Sequence, residues 1–234
     1  MVEVATMSLK DDFAREGVVV LPALVHRTVV QEWQAAWAAY YSTERMLNRF
    51  NPVEVKGPFG EVLDGIPLHP AIRRSVKEVL QDWLHVYNFR FVVKDARSAD
   101  PVFLHQDCGY HVGSATKLSA FVALSDVTPE NGGLRFWLGT HKYGYLGDVG
   151  EIDHKHTESH RSVCPTLAPG DVVLMHSALW HESGPNVSGP NRILADIIYQ
   201  RGDDVSRLLP RDGIFVRSRS SRLRELQAIV DAKR

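Results

Sequence analysis

The sequence predicts a mainly β chain with flanking helices: a jelly-roll barrel preceded by an N-terminal helical part. Three observations predict it. Up to about residue 83, apolar residues recur at the three-to-four spacing of helices that bury one face. From about residue 87 to 200 the pattern becomes short alternating or all-apolar runs, parted by Gly, Pro and Asn. Helices first and a succession of short strands afterwards argue a closed β architecture with helices at its flank. At 234 residues one domain, 1–234, is expected: a helical part at about 8–83, a jelly-roll core at about 87–200 and a charged C-terminal tail or helix at 203–234.

Residues 8–16 form a short predicted helix, with Ser8 placed to cap it and Asp11 three positions later, close to a capping box. Gly17 ends it, and Val18, Val19, Val20 and Leu21 make a short buried strand closed by Pro22. A second helix is expected from Thr28, with Gln31 in the third position. Val29, Trp33, Trp37 and Tyr40 mark its buried face. Residues 42–70 are rich in Gly, Pro and Asn and lose periodicity, so a disordered or functional segment is expected there. Residues 72–83 are the third helix, with Ile72, Val76, Val79, Leu80 and Trp83 on one side. Residues 87–94 alternate as a half-buried strand does: Tyr87, Phe89, Phe91 and Val93 against Asn88, Arg90, Val92 and Lys94, with Lys94 expected in solvent.

The β half follows. FLHQD at 103–107 is one strand. In 117–125, Leu118, Ala120, Val122 and Leu124 face one way and Ser119, Phe121 and Ala123 the other. Asn131, Gly132 and Gly133 make a tight turn that needs positive φ, ahead of a strand at 134–138. Pro169-Gly170-Asp171 turns into an all-apolar strand at 172–175, and 191–199 is the last long strand. Residues 142–164 are a polar loop, a candidate lid over the site, whose His154, His156 and His160 are solvated side chains by default rather than a second metal site. Residues 220–234 are expected to be an exposed helix with Leu223, Leu226 and Ile229 as its apolar stripe.

Composition limits the function classes. Apolar residues at 44% and charged residues at 24% allow a real core. A net charge of −1 and a pI near 6.8 give no electrostatic argument for nucleic acid or membrane. The first residues lack the basic and apolar regions of a signal peptide, and no stretch reaches the ~18 apolar residues of a membrane helix. Cys108 and Cys164 do not make a disulfide framework. A cytoplasmic protein acting on a small molecule is expected; the sequence carries no signal for oligomeric state.

The chemistry concentrates in three stretches. On a strand, His105 and Asp107 leave the same face and Gln106 the other, so a His and a carboxylate can grip one side of a metal ion. A third ligand must come from elsewhere, and His181 in WHESGPN offers it, with His176, five residues earlier, competing for the role. Two His and one carboxylate leave positions open on iron(II). Arg192 opens the next apolar strand, on one face with Leu194, Asp196 and Ile198, so it either waits for an anion or pairs internally with Asp196. Cys108 and His111 lie close by, as outer-layer or substrate-facing groups.

LHQD, NGGLRFWLGTHK, GDVVLMH and WHESGPN, in that order and followed by Arg192, resemble the phytanoyl-CoA dioxygenase-like family of iron(II)/2-oxoglutarate-dependent oxygenases, from about Phe13 to Tyr199. The resemblance implies a double-stranded β-helix, iron(II) on His105, Asp107 and His181, and 2-oxoglutarate as cosubstrate with O2, released as succinate and CO2. It implies Arg192 on the distal carboxylate of 2-oxoglutarate, a site that suits the planar, always-charged guanidinium. Ser183 resembles a hydroxyl that touches the same carboxylate. Phe121 stands where many relatives carry a Trp beside the cosubstrate, and leaves an apolar contact only. His141, in a strand-end turn, matches a His that relatives keep on the cosubstrate side.

Related halogenases replace the carboxylate ligand by a small residue; Asp107 is present, which favours hydroxylation. Cyclisation, desaturation and epimerisation stay open. A specialised metabolite is the expected substrate. Two rivals of other classes are a non-catalytic jelly-roll metabolite-binding protein and a metal cupin that needs no cosubstrate; neither has a use for Arg192.

Overall fold

The computed structural model describes residues 8–43, 54–95, 100–147 and 150–204. Helix α1, Leu9–Glu16, is capped as its sequence predicts. Ser8 accepts from the Asp11 amide at 3.2 Å, and Gly17, at φ 79, closes the helix on the Phe13 carbonyl. The chain passes directly into strand β1, Val18–Leu21. Helix α2, Arg27–Thr43, starts one residue before the expected cap: His26 flanks it, its Nδ1 2.9 Å from the Thr28 hydroxyl. Val30, Trp33 and Trp37 are buried, with Val29 and Tyr40 partly buried against the same core.

Of the segment expected to be irregular, residues 44–53 lie outside the described residues, and regular structure begins at residue 54 within the described part. It holds strand β2, Glu54–Lys56, a one-turn helix α3, Glu61–Asp64, and a tight turn at Ile66–Leu68. Val55, Phe59, Leu63 and Ile66 are all buried and hold it down. Elements of three or four residues are too short to show either period, so sequence pattern misses them. Helix α4, Pro70–Leu80, opens on a proline and ends at Gln81 in a left-handed conformation. It is shorter than predicted, and Trp83, expected on its buried face, is 84% exposed.

The remaining strands are β3, Leu84–Lys94, β4, Val102–His105, β5, Leu118–Ala123, β6, Leu134–Trp137, β7, Ser162–Val163, β8, Val172–His176, β9, His181–Ser183, and β10, Arg192–Arg201. They form two antiparallel sheets, a six-stranded one in the order β1-β8-β5-β10-β3-β2 and a four-stranded one in the order β4-β9-β6-β7. This is a jelly roll. One face of the larger sheet, with Phe91, Val93, Leu118, Ala120, Val122, Leu174, Ala195 and Ile197, packs under Phe13, Trp33, Trp37, Ile72 and Val76 of the helices. Its other face, with Phe121, Ala123, Val173, Met175 and Leu194, meets Leu134 and Phe136 of the smaller sheet. Covered on both sides, every residue of β5 is buried. Each such aliphatic side chain contributes ~1.5–3 kcal/mol, and this fixes the register that aims the inner-face polar residues.

Residues 142–164 do not close over the barrel mouth as expected of a lid. Ile152 packs on Leu104, Trp137 and Trp180, on the outer face of the smaller sheet, and its amide donates to the Leu104 carbonyl at 2.7 Å. The expected helix at 220–234 lies outside the described residues. Among the described residues no helix is long and apolar enough to cross a membrane.

Candidate active site

β4 and β9 run antiparallel with His105 opposite His181, so both imidazoles enter the interior between the sheets, 4.3 Å apart. The expected strand through Asp107 stops earlier. β4 ends at His105, and Asp107 opens a tight helical turn, Asp107–Tyr110. The Cys108 amide donates to the Ser177 carbonyl at 2.9 Å, which takes the chain away from β9. Gln106 holds the bend from the far side, donating to the carbonyls of Gly144 and Ala178 at 2.7 Å each. Asp107 still reaches the histidines: its Oδ1 is 3.5 Å from His105 Nε2 and 3.8 Å from His181 Nε2. The candidate ligand atoms of the three residues lie within 4.8 Å of one another, and the described residues hold no other such group.

The hydrogen bonds prepare these side chains for a metal. His105 Nδ1 is 2.7 Å from the Phe103 carbonyl and His181 Nδ1 is 2.9 Å from the Leu179 carbonyl. A carbonyl only accepts, so each Nδ1 carries the proton and each Nε2 presents a lone pair beside Asp107. Burial pushes His181 down to about 4, so it is neutral at neutral pH. Burial works against ionisation of the Asp107 carboxyl, and its histidine neighbours outweigh burial and lower its pKa only when they carry a proton. Its Oδ2 is buried with no partner. A buried carboxylate with an orphaned oxygen, beside two imidazoles whose Nε2 lone pairs face it, suits a divalent cation.

Arg192 begins β10 opposite Lys94 and is fully buried. Its Nη1 donates to the Val92 carbonyl at 3.1 Å, while Nε and Nη2 have no partner. Burial draws its pKa down to about 9, and it stays charged at neutral pH. The alternative pairing with Asp196 is not made: Asp196 accepts from Arg90 Nε at 2.7 Å, and Arg90 Nη1 meets Glu54 at 2.9 Å. Nε and Nη2 form the edge of a guanidinium that takes a carboxylate side-on. That edge is bare.

Ser183 is buried two residues after His181, and Phe121 lines the same interior, opposite Asp196 in the sheet. Lys94, expected in solvent, is fully buried. It donates to the Ser183 carbonyl at 3.2 Å and to the Gly184 carbonyl, which fastens the end of β9. Burial and then the neighbouring Arg192 draw its pKa to about 7. Gly132 makes room for it: at φ 84, a Cβ there would sit 2.5 Å from Lys94 Cδ and 2.8 Å from the Gly184 carbonyl oxygen. The signal for Lys94 was present in the alternation of β3. Phe89, Phe91 and Val93 face the helices, so Arg90 and Lys94 face the barrel interior, where the polar site lies.

Of the other candidates, four histidines go elsewhere. His141 lies against α1, Nε2 3.2 Å from the Ala14 carbonyl, and stacks near His176 at 5.1 Å. His176 is the packing residue its position suggests; burial pushes it down to about 4. His154 meets Glu182 at 3.1 Å on the outer face, and His160 meets the Tyr143 hydroxyl at 3.0 Å. His111, 5.2 Å from the Tyr87 ring, and Cys108, a buried free thiol, stay near enough to Asp107 to feel its charge.

A family model described as phytanoyl-CoA dioxygenase (PhyH) matches residues 13–194. A 1-deoxypentalenic acid 11-beta-hydroxylase of Streptomyces arenae is 29% identical over 140 residues, covering 51% of this chain and 49% of that protein. An uncharacterized protein of Saccharomyces cerevisiae is 33% identical over 90 residues, 38% of this chain and 25% of that one. The chain therefore spans about half the length of these curated relatives or less. The non-heme alpha ketoglutarate dependent epimerase SnoN from nogalamycin biosynthesis superposes with a TM-score of 0.77 at 22% identity, over 88% of this chain and 89% of that one. The carbocyclase SnoK from the same biosynthesis gives 0.74 at 22%, over 92% and 95%. EctD from S. alaskensis, solved with 2-oxoglutarate and 5-hydroxyectoine, gives 0.73 at 22%, over 86% and 78%. At these identities the solved structures establish a shared fold.

Proposed function

Since the chain belongs to the phytanoyl-CoA dioxygenase family of iron- and 2-oxoglutarate-dependent oxygenases, we propose that it hydroxylates a small-molecule metabolite. In this reading His105, Asp107 and His181 hold iron(II), and Arg192 and Ser183 hold the distal carboxylate of 2-oxoglutarate against Phe121. One observation carries it: the bare, buried Nε/Nη2 edge of Arg192 in the interior that also holds the His–Asp–His cluster. An uncompensated buried charge costs several kcal/mol, and a protein that only bound metal or metabolite would gain nothing from it.

Bound together, iron and 2-oxoglutarate supply the activation of O2 that oxidises the substrate, with succinate and CO2 as coproducts. The chain's own residues do the holding. The Phe103 and Leu179 carbonyls fix which nitrogen of each His faces inward. Lys94 braces the backbone at Ser183, and the charge of Arg192 beside it helps draw its pKa down to about 7. Phe121 and Leu194 belong to the apolar cluster of the interior between the sheets. Asp107 supports oxygen transfer, because the carboxylate position is filled.

Cyclisation, desaturation or epimerisation is the second reading, favoured by the shared fold with an epimerase and a carbocyclase. A cytoplasmic setting is consistent with two free thiols. Oxygen-dependent succinate release in the presence of iron(II) and ascorbate, lost in Asp107→Ala, is the test. A product heavier by one oxygen atom marks hydroxylation, and one lighter by two hydrogens marks desaturation or ring closure. Absence of succinate across a broad metabolite panel would return the protein to the binding class.

A further inference from the structure

We propose that Phe103 and Tyr110 form an aromatic ledge that selects a neutral, ring-bearing apolar substrate; this rests on the reading above for where the reacting carbon must arrive. The three candidate ligands are not equally open. The side chain of His105 is 12% exposed, against 8% for Asp107 and 5% for His181, so solvent reaches the cluster from the His105 side. Two large rings flank that side. Phe103 is 45% exposed with its ring 5.4 Å from His105, and Tyr110 is 47% exposed with its ring 6.2 Å away. Exposed apolar residues scattered singly need no explanation, but two rings astride the open side of a buried polar centre are not scattered.

Among the described residues, the charged side chains near Tyr87 and Asp107 are already committed. Lys117 is buried, pairs with Asp204 at 2.5 Å and lies 4.7 Å over the Tyr87 ring. Arg90 is held by Asp196 and Glu54. A substrate carboxylate or phosphate would have to break one of these pairs, and an ammonium would face the same obstacle in reverse. A neutral molecule avoids the cost. A ring system suits the ledge better than a thin chain, because aromatic faces gain from stacked or edge-on contact beyond the area they bury.

The test is binding, not turnover. The full-length chain is loaded with nickel(II), which is redox-inert here, and 2-oxoglutarate, then titrated with prodan, a neutral naphthalene fluorophore, and with its anionic counterpart anilinonaphthalene sulfonate. Prodan should bind at least ~10-fold more tightly than the anion. Phe103→Ala and Tyr110→Ala should each weaken prodan ~10-fold, and Phe103→Leu by less, since it keeps apolar area but loses the ring. Both rings are half-exposed, so the variants should keep their far-ultraviolet spectrum and melting temperature. Trp83→Ala removes the most exposed ring among the described residues, outside the proposed ledge, and should change nothing.

Unchanged prodan affinity in the Phe103 and Tyr110 variants, loss of binding in Trp83→Ala, equal affinity for the anion, or no binding at all would overturn the ledge. If the chain takes up no nickel, the metal reading falls instead. The same titration on the metal-free chain then judges the ledge separately.

Discussion

Replacing Arg192 by Met should make the cosubstrate-free protein more stable and leave it unresponsive to 2-oxoglutarate. Burial draws the guanidinium from the ordinary arginine range to about 9, which at ~1.4 kcal/mol per decade sets a ceiling of roughly 5 kcal/mol on the cost of keeping the charge inside. Met of similar length removes that cost and gives up one hydrogen bond to the Val92 carbonyl, worth ~1 kcal/mol. Replacing buried charge by a well-packed apolar side chain gains ~1–4 kcal/mol in practice. A gain of about 2 kcal/mol would raise the melting temperature by ~4–8 °C in a chain of this size.

Wild-type protein with nickel(II) and 2-oxoglutarate at a hundred times its Kd should gain ~2.7 kcal/mol, and Arg192→Met should gain almost none of it. Thermal unfolding of the two proteins with and without the cosubstrate reads all four states. The reasoning is refuted if Arg192→Met is less stable than wild type without cosubstrate, or if both proteins show the same shift on adding it.

Three further outcomes are expected. Asp107→Ala should weaken nickel(II) binding by at least ~100-fold in calorimetry, and unaltered uptake would place the metal elsewhere. His176 has a folded pKa of about 4, below its unfolded value near 6.5, so the unfolded chain takes the proton first. Its contribution is full above ~6.5 and is lost as pH falls towards 4, by up to ~3 kcal/mol less what screening removes. Denaturant melts between those pH values should show a shallower acid slope in His176→Leu. Gly132→Ala forces a side chain onto φ 84 and against Lys94, and should cost ~1–3 kcal/mol in a melt. No loss there would mean that Lys94 lies elsewhere.

Much of this was legible because local chemistry and tertiary packing agree. Ser8 and Gly17 delimit α1 by capping alone, and the alternation in β3 and β5 reports two covered faces. The candidate metal cluster was legible for a different reason: a buried His–Asp pair would explain His105 and Asp107 alone, but not His181 and Arg192 with them. Asp107 arrives by a route the strand period could not supply, since a bond from Cys108 to Ser177 bends the chain after His105. Lys94 was misplaced because a lysine on a strand reads as solvent-facing, while here the strand's second face looks into a polar interior. The segment 142–164 was misplaced because polarity and length reveal a loop but not which side of a sheet it covers. Ile152, one apolar residue in a polar stretch, was the clue.

The three candidate ligands and the waiting guanidinium stand on opposite walls. His105 and His181 belong to the four-stranded sheet, Arg192 to the six-stranded one. A dicarboxylate gripped at both ends would therefore act as a cross-brace, adding to the apolar contacts and the Lys94 hydrogen bonds that already tie the two slabs together. Hydrogen-exchange protection should then rise in step along β9 and β10 when the cosubstrate enters. Two walls that breathe separately in its absence would open only together.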